Sequence, residues 1–227
     1  MDYNEMTYKS SSKIKSYAHN SRYKIALSLC KEASNVFDYG TGSGYFPRLL
    51  SNANPNLEIV GYEPVHNMHL KAAKETSKYK NIKIINHINF SKKFTFITCL
   101  EVMEHLTTEN QIKVIQECQK LLAKKGRIII SVPIETGISG FLKNIFRYLI
   151  RQSHAKNLKE IFLSLLGIKI KRTIVNNYIY SHVGFRYKDL EKLLAIQNLK
   201  IETRKFSPLS FLGPILNSQV FYVLTPN

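Results

Sequence analysis

Between positions 35 and 133 the chain carries five short runs of β-branched and aromatic residues, separated by helical patterns. They are Val36-Phe37-Asp38-Tyr39, Glu58-Ile59-Val60-Gly61-Tyr62-Glu63, Ile82-Lys83-Ile84-Ile85, Phe94-Thr95-Phe96-Ile97-Thr98-Cys99-Leu100 and Arg127-Ile128-Ile129-Ile130-Ser131-Val132. Runs this short and this apolar on both faces suit buried parallel strands. Parallel neighbours need crossovers, and helices of this length supply right-handed ones, so the expected architecture is a doubly wound α/β sheet. The helix before the fifth run is the clearest. Ile112, Ile115, Cys118 and Leu122 recur at helical spacing, Thr107 or Thr108 can cap its start, and Gly126 can close its end.

Composition narrows the class. A chain of 227 residues, 44% hydrophobic and 11% aromatic, can fill one core and is neither a disordered tail nor a fibre. Its mean hydropathy of -0.18 fits a soluble protein, and no stretch approaches the roughly 18 apolar residues of a membrane span. The N-terminus opens polar, unlike a signal peptide. Cys30, Cys99 and Cys118 are odd in number and widely spaced, so no disulfide framework or zinc knuckle follows and a cytoplasmic setting is expected. The net charge of +17 favours anionic partners, although a Lys-, Asn- and Ile-rich background can produce it without selection for binding.

Beyond Pro133 the alternation breaks, and 134–180 is the expected insertion. Ile138, Phe141, Leu142, Ile145, Phe146, Leu149 and Ile150 form an apolar stripe on one helix, and Leu158, Ile161, Phe162, Leu165 and Leu166 repeat it on a second. This segment holds Lys143, Arg147, Arg151, Lys156, Lys159, Lys169, Lys171 and Arg172 against Glu135 and Glu160. Net positive charge there is about twice as dense as in 1–133. Lys143, Arg147 and Arg151 repeat opposite the stripe. We expect a lid whose stripe packs inward and whose charges meet water; the alternative is a basic amphipathic helix on an anionic membrane face or over a lipid-like substrate. A helix over 187–197, a strand over 199–206 and a strand over 219–224 complete the chain, the two strands reading as an antiparallel pair at the sheet edge. The first 33 residues, with Tyr3, Tyr8, Tyr17 and Tyr23, are expected to cover the site.

The loop Asp38-Tyr39-Gly40-Thr41-Gly42-Ser43-Gly44 joins the first strand to a helix. Glycines in this place let a nucleotide-like cofactor approach the backbone. A dinucleotide fingerprint would need its last glycine at position 45, where Tyr45 stands, and no G-K-[ST] follows, which excludes a P-loop. Glu63 ends the second strand about 20 residues on, where a ribose-binding acid is expected; a carboxylate can accept both hydrogen bonds of a vicinal diol. Asp38-x-Gly40-x-Gly42-x-Gly44 with Glu63 resembles the cofactor loop of class I S-adenosylmethionine-dependent methyltransferases.

Glu101-Val102-Met103-Glu104-His105 is similar to the E-V-x-E-H segment of the type 11 and ubiquinone O-methyltransferase-like branch, and His182-Val183-Gly184-Phe185 resembles its H-x-x-F element. The resemblance implies a Rossmann-like, seven-stranded, mostly parallel sheet with the last strand antiparallel. It also implies S-adenosylmethionine as cofactor. The positions it assigns to cofactor contact are Asp38, Gly40, Thr41, Gly42, Gly44, Glu63, Pro64, Asn86, His87, Cys99, Leu100 and Glu101. At 86 and 87 the chain departs from the family's usual Asp. Methyl transfer from a sulfonium mainly needs nucleophile and methyl held in line. A hydroxyl acceptor would also use a base, for which His105 and His182 are the candidates. The resemblance allows a divalent ion on Glu101, Glu104 and His105; the plainer expectation is no metal, the two acids serving the N-terminus of the following helix. The resulting expectation is O-methylation of a small-molecule or lipid-linked acceptor, in a cytoplasmic protein that can be peripheral at an anionic membrane through 138–172. Two alternatives stay open. One is an RNA methyltransferase, favoured by the charge and disfavoured by the lack of any RNP motif, zinc knuckle or interleaved aromatic-basic strand. The other is a cofactor-binding or membrane-associated protein without turnover.

Overall fold

A computed structural model describes residues 13–149, 155, 158–175 and 177–227. A seven-stranded sheet is built from β1 (Asn35–Tyr39), β2 (Glu58–Tyr62), β3 (Ile82–Ile85), β4 (Phe94–Leu100), β5 (Leu122–Pro133), β8 (Leu199–Ser207) and β9 (Gln219–Pro226), in the order β3-β2-β1-β4-β5-β9-β8. The first five are parallel, and β9 runs antiparallel between β5 and the edge strand β8. This is the doubly wound sheet expected from the alternation, with order reversing between β1 and β4. Ligands of such sheets bind beyond the carboxyl ends of the strands at that reversal.

Successive residues of each central strand feed opposite layers, as the pleat requires. On one face Phe37, Ile97, Ile128, Ile130 and Tyr222 pack with Val114, Ile115, Cys118 and Leu121 of α4 (Thr108–Leu121) and Leu190 and Leu194 of α7 (Tyr187–Ile196). On the other, Val36, Ile59, Phe96, Ile129 and Phe221 pack with Ala26 and Cys30, in and just past α1 (Lys13–Leu29), and with Phe46 and Leu50 of α2 (Tyr45–Ala53). The three cysteines are buried free thiols. Helix α3 (His66–Thr76) follows β2. Among the described residues no helix is long and apolar enough to cross a membrane.

Three expectations change. Helix α4 is capped by Thr107, whose Oγ1 accepts from Asn110 N at 3.4 Å, but it ends at Leu121. Leu122 instead pairs with Phe94, and Lys125 rather than Gly126 takes the left-handed conformation. The insertion contains, besides α5 (Gly137–Leu149) and α6 (Leu158–Leu165), a two-stranded hairpin of β6 (Ile174–Val175) and β7 (Tyr178–Ile179).

The third change concerns the lid. Helix α5 turns its polar side inward: Ser139, Gly140 and Asn144 are buried, whereas Ile138, Leu142, Phe146 and Leu149 of the stripe are each more than half exposed. The reason is Glu135, wholly buried just before the helix. Lys143 Nζ lies 2.8 Å and Arg147 Nη1 3.4 Å from its carboxylate. Lys143 also donates to Ile134 O at 2.7 Å, and Ser164 Oγ of α6 donates to Glu135 O at 2.6 Å. Gly140 sits so close that a Cβ there would lie 2.3 Å from the Glu135 carbonyl carbon. An unpaired buried carboxylate is so costly that the cations follow it in. Ile150, Arg151 and Lys156 lie outside the described residues.

Candidate active site

The loop after β1 returns under β2. Gly40 N and Thr41 N both donate to Tyr62 O at 2.9 Å. Gly40 has φ +74, and a Cβ on it would meet Val102 Cγ2 at 2.6 Å, so neither the turn nor the approach tolerates a side chain. Gly42 also has positive φ, but a Cβ there would meet nothing within 4 Å. Its backbone faces open space, as a ligand cradle must.

Glu63 is 6% exposed and lies beside this loop, its Oε2 accepting from Gly42 N at 2.9 Å and its Oε1 from Val65 N at 3.0 Å. Burial raises its pKa, and the two amides offset part of that. A carboxylate offers about four lone-pair sites, so roughly two remain for a ligand diol. Asp38, at the end of β1, is buried with Thr98 Oγ1 donating to it at 2.6 Å. Burial pushes its pKa up to about 6 against that hydrogen bond.

A cavity of about 720 Å³ opens beside the loop, the size of a nucleoside or drug-like ligand site. Gly40, Glu63, Pro64, Glu101 and His105 line it together with Val65, Met68, Val102, Tyr178 and Tyr180. Asp38, Thr41 and Gly44 shape the loop from behind. Gly44 opens α2, and a Cβ on it would meet Thr76 Cγ2 of α3 at 2.8 Å. Asn86 and His87 are exposed beyond β3, Cys99 is buried in the core and Leu100 is half-buried; none of these four lines the cavity. Tyr23 packs edge-on against Tyr45 at 4.9 Å, beside the glycine loop, whereas Tyr17 is exposed. Tyr3 and Tyr8 lie outside the described residues.

Glu101 leaves β4 with φ +57, a left-handed backbone that a non-glycine residue holds only when its surroundings fix it. They do: Arg22 Nη1 of α1 lies 3.3 Å from its Oε2, and Gln219 Nε2 donates to its Oε1. The sequence showed neither partner, since Arg22 and Gln219 are remote polar residues without a motif. Tyr178 and Tyr180 were missed for a different reason. Ile174-Val175-Asn176-Asn177-Tyr178-Ile179 is a hairpin signal of two β-rich runs around Asn-Asn.

His105 and His182 meet edge to face with ring centroids 4.7 Å apart, and His105 stacks on Tyr178 at 4.8 Å. His105 Nδ1 lies 2.8 Å from Ile179 O, which makes Nδ1 the donor and leaves the Nε2 lone pair free. Burial lowers both histidines, His182 to about 4, so both are neutral at pH 7. Between them Glu104 is wholly buried, 3.9 Å from His105 Nε2 and 4.0 Å from His182 Nδ1. Neither of its oxygens accepts a hydrogen bond from another described residue, and burial raises its pKa well above the carboxylate range. Glu104, His105 and His182 each offer one ligand atom, all within 4.8 Å of one another. Two imidazoles and a carboxylate suit a divalent first-row transition metal or zinc, and the orphaned buried carboxylate fits a cation. The cluster differs from the sequence-derived triad: His182 joins it, and Glu101 is held by Arg22 and Gln219 instead.

A family model described as a methyltransferase domain matches residues 15–161. None of the curated proteins matches the chain in sequence. Among solved structures, a Pyrococcus horikoshii protein is similar at 17% identity and TM-score 0.62, over 98% of this chain and 96% of that one. Magnesium protoporphyrin IX methyltransferase from Synechocystis, solved with SAH bound, is similar at 14% identity and TM-score 0.60, over 98% of this chain and 92% of that one. The N-methyltransferase NodS from Bradyrhizobium japonicum, in complex with S-adenosyl-L-homocysteine, is similar at 12% identity and TM-score 0.60, over 99% and 93%.

Proposed function

The chain belongs to the methyltransferase-domain family, and from that premise we propose that it moves a methyl group from S-adenosylmethionine to an oxygen of a small-molecule acceptor. The observation that carries this reading is Glu63 bonded to Gly42 N at 2.9 Å on the rim of the 720 Å³ cavity. A diol-accepting acid and a side-chain-free turn are thereby in one wall. S-adenosylmethionine supplies an activated methyl on a sulfonium whose departure leaves a neutral thioether. The chain's own task is positioning. Glu63 accepts the ribose hydroxyls, Gly40 and Gly42 admit the ligand to the backbone, and Val65, Met68 and Val102 give the nucleobase an apolar wall that excludes water.

Oxygen is preferred to nitrogen because the cavity holds a neutral imidazole with a free lone pair. His105 Nε2 takes the proton of an acceptor hydroxyl as the methyl is transferred, while Ile179 O holds the ring in the required tautomer. The E-V-x-E-H segment supports the ubiquinone O-methyltransferase-like branch. Titration with S-adenosyl-L-homocysteine tests the cofactor half of the reading. Glu63→Gln should weaken binding by about tenfold to a hundredfold, because the amide loses one acceptor and gains a donor; unchanged affinity would overturn it.

The buried Glu104 favours a second reading, in which Glu104, His105 and His182 hold a divalent ion. When bound, that ion lowers the pKa of an acceptor hydroxyl beside it. Glu104→Gln should then abolish saturable binding of zinc or manganese by the metal-free protein in calorimetry, while S-adenosyl-L-homocysteine affinity stays within about threefold of the parent. Equal metal binding by parent and variant would exclude the cluster.

A further inference from the structure

The inverted insertion leaves an apolar surface that no described part of the chain covers. Leu142, Phe146 and Leu149 of α5 face solvent, as do Phe162 of α6 and Leu166 just past its end, the last two more than half and about 71% exposed. Phe141 joins the helices, its ring 5.5 Å from that of Phe162. At the start of α5, Ser139 Oγ donates to Asn217 O, and the loop so attached carries Phe211 at 83% exposure. Large apolar side chains left exposed together on two packed helices are the kind of surface that marks an interaction site.

Charge says which partner fits. Helix α6 turns Leu158 and Phe162 outward, with Leu166 exposed just past its end, and its neighbouring row, Lys159 and Leu163, lines a groove with Lys169, Lys171 and Arg172. The acids of 134–180 are Glu135, buried under α5, and Glu160 in the same groove. The apolar face is therefore edged by an excess of cations on a chain of net charge +17. A second copy would bring the same cations to the same edge and be repelled. A bilayer rich in anionic phospholipid is complementary on both counts: acyl chains for Leu142, Phe146 and Phe162, phosphates for the lysines.

We propose that the solvent-facing side of α5 and α6 docks on an anionic membrane surface, with the Lys159–Lys169–Lys171 groove taking lipid phosphate. The orientation is the reverse of an ordinary basic amphipathic helix. Lys143 and Arg147 are committed to Glu135 inside the protein, so the membrane-facing charge comes from α6 and the segment after it. Docking would leave the protein peripheral. It does not depend on methyl transfer.

The test is co-sedimentation of the full chain with vesicles of phosphatidylcholine alone and of equal parts phosphatidylcholine and phosphatidylglycerol, at low and high salt. The parent should partition onto the mixed vesicles and be released by salt. Leu142→Ser with Phe146→Ser, and separately Lys169→Glu with Lys171→Glu, should each lower the partition coefficient by about tenfold or more. Circular dichroism and S-adenosyl-L-homocysteine affinity should not move, so a failure here is separable from a failure of the cofactor reading. Three results would overturn the proposal: no parent on the mixed vesicles, full binding by the Leu142/Phe146 variant, or a parent dimer that this variant converts to monomer. The last would make the face an interface between copies.

Discussion

The cofactor half and the insertion solve the same packing problem in opposite ways. From β1 to β4 the strands bury apolar residues on both faces of the sheet, and the two carboxylates buried there, Asp38 and Glu63, lie at the candidate ligand site. In α5 the buried residues are Ser139, Gly140 and Asn144, Lys143 and Arg147 reach inward to Glu135, and Ile138, Leu142, Phe146 and Leu149 of the apolar stripe are outside. Burial of a strand between two layers leaves no choice of face. A single helix laid on a surface has one, and a buried carboxylate at its start decides it.

If ionic pairing holds α5 down, removing one cation should cost far more than removing exposed apolar groups. Lys143→Met leaves Glu135 with only the longer Arg147 contact, and should destabilise the protein by about 3–5 kcal/mol in denaturant melts. A loss within the noise of the melt would mean that the helix is held by something else. For Glu135 itself the sign is that of a lowered carboxylate. Its stabilising contribution is present above its unfolded pKa and is lost as pH falls through the depressed folded one.

Asp38 makes the opposite statement in the cofactor half. Its folded pKa, raised to about 6, means that ionisation costs the folded state, so stability declines as pH rises from about 4 through 6. Asp38→Asn keeps an acceptor for Thr98 and should raise stability of the ligand-free protein by about 1–3 kcal/mol at pH 8, converging on the parent below about pH 4. A variant less stable than the parent at pH 8 would show that the charge is compensated by the loop amides.

The smallest effect sharpens the contrast. Leu142→Ser, on the outward stripe, should change stability by no more than about 0.5 kcal/mol. A cost of about 2 kcal/mol or more would mean that the stripe is packed after all, since that is the range for deleting a buried leucine.

The strands and the doubly wound class of the sheet were legible because buried parallel strands are uninterrupted apolar runs, and the turn between β1 and α2 was legible because it needs glycines. The pairing of Glu63 with Gly42 was legible for the same local reason. The long-range partners were not. His182 reaches Glu104 only because the chain returns through the β6–β7 hairpin, and Arg22 and Gln219 reach Glu101 from α1 and β9. Periodicity states which residues share a face of α5, yet carries no sign for that face. The sign came from Glu135 just before the helix and from Ser164 and Asn217, distant in sequence, and only the folded molecule shows that the carboxylate is buried and that the other two meet the insertion. A local pattern fixes local geometry; the cost of burying a charge is settled by whatever the fold brings beside it.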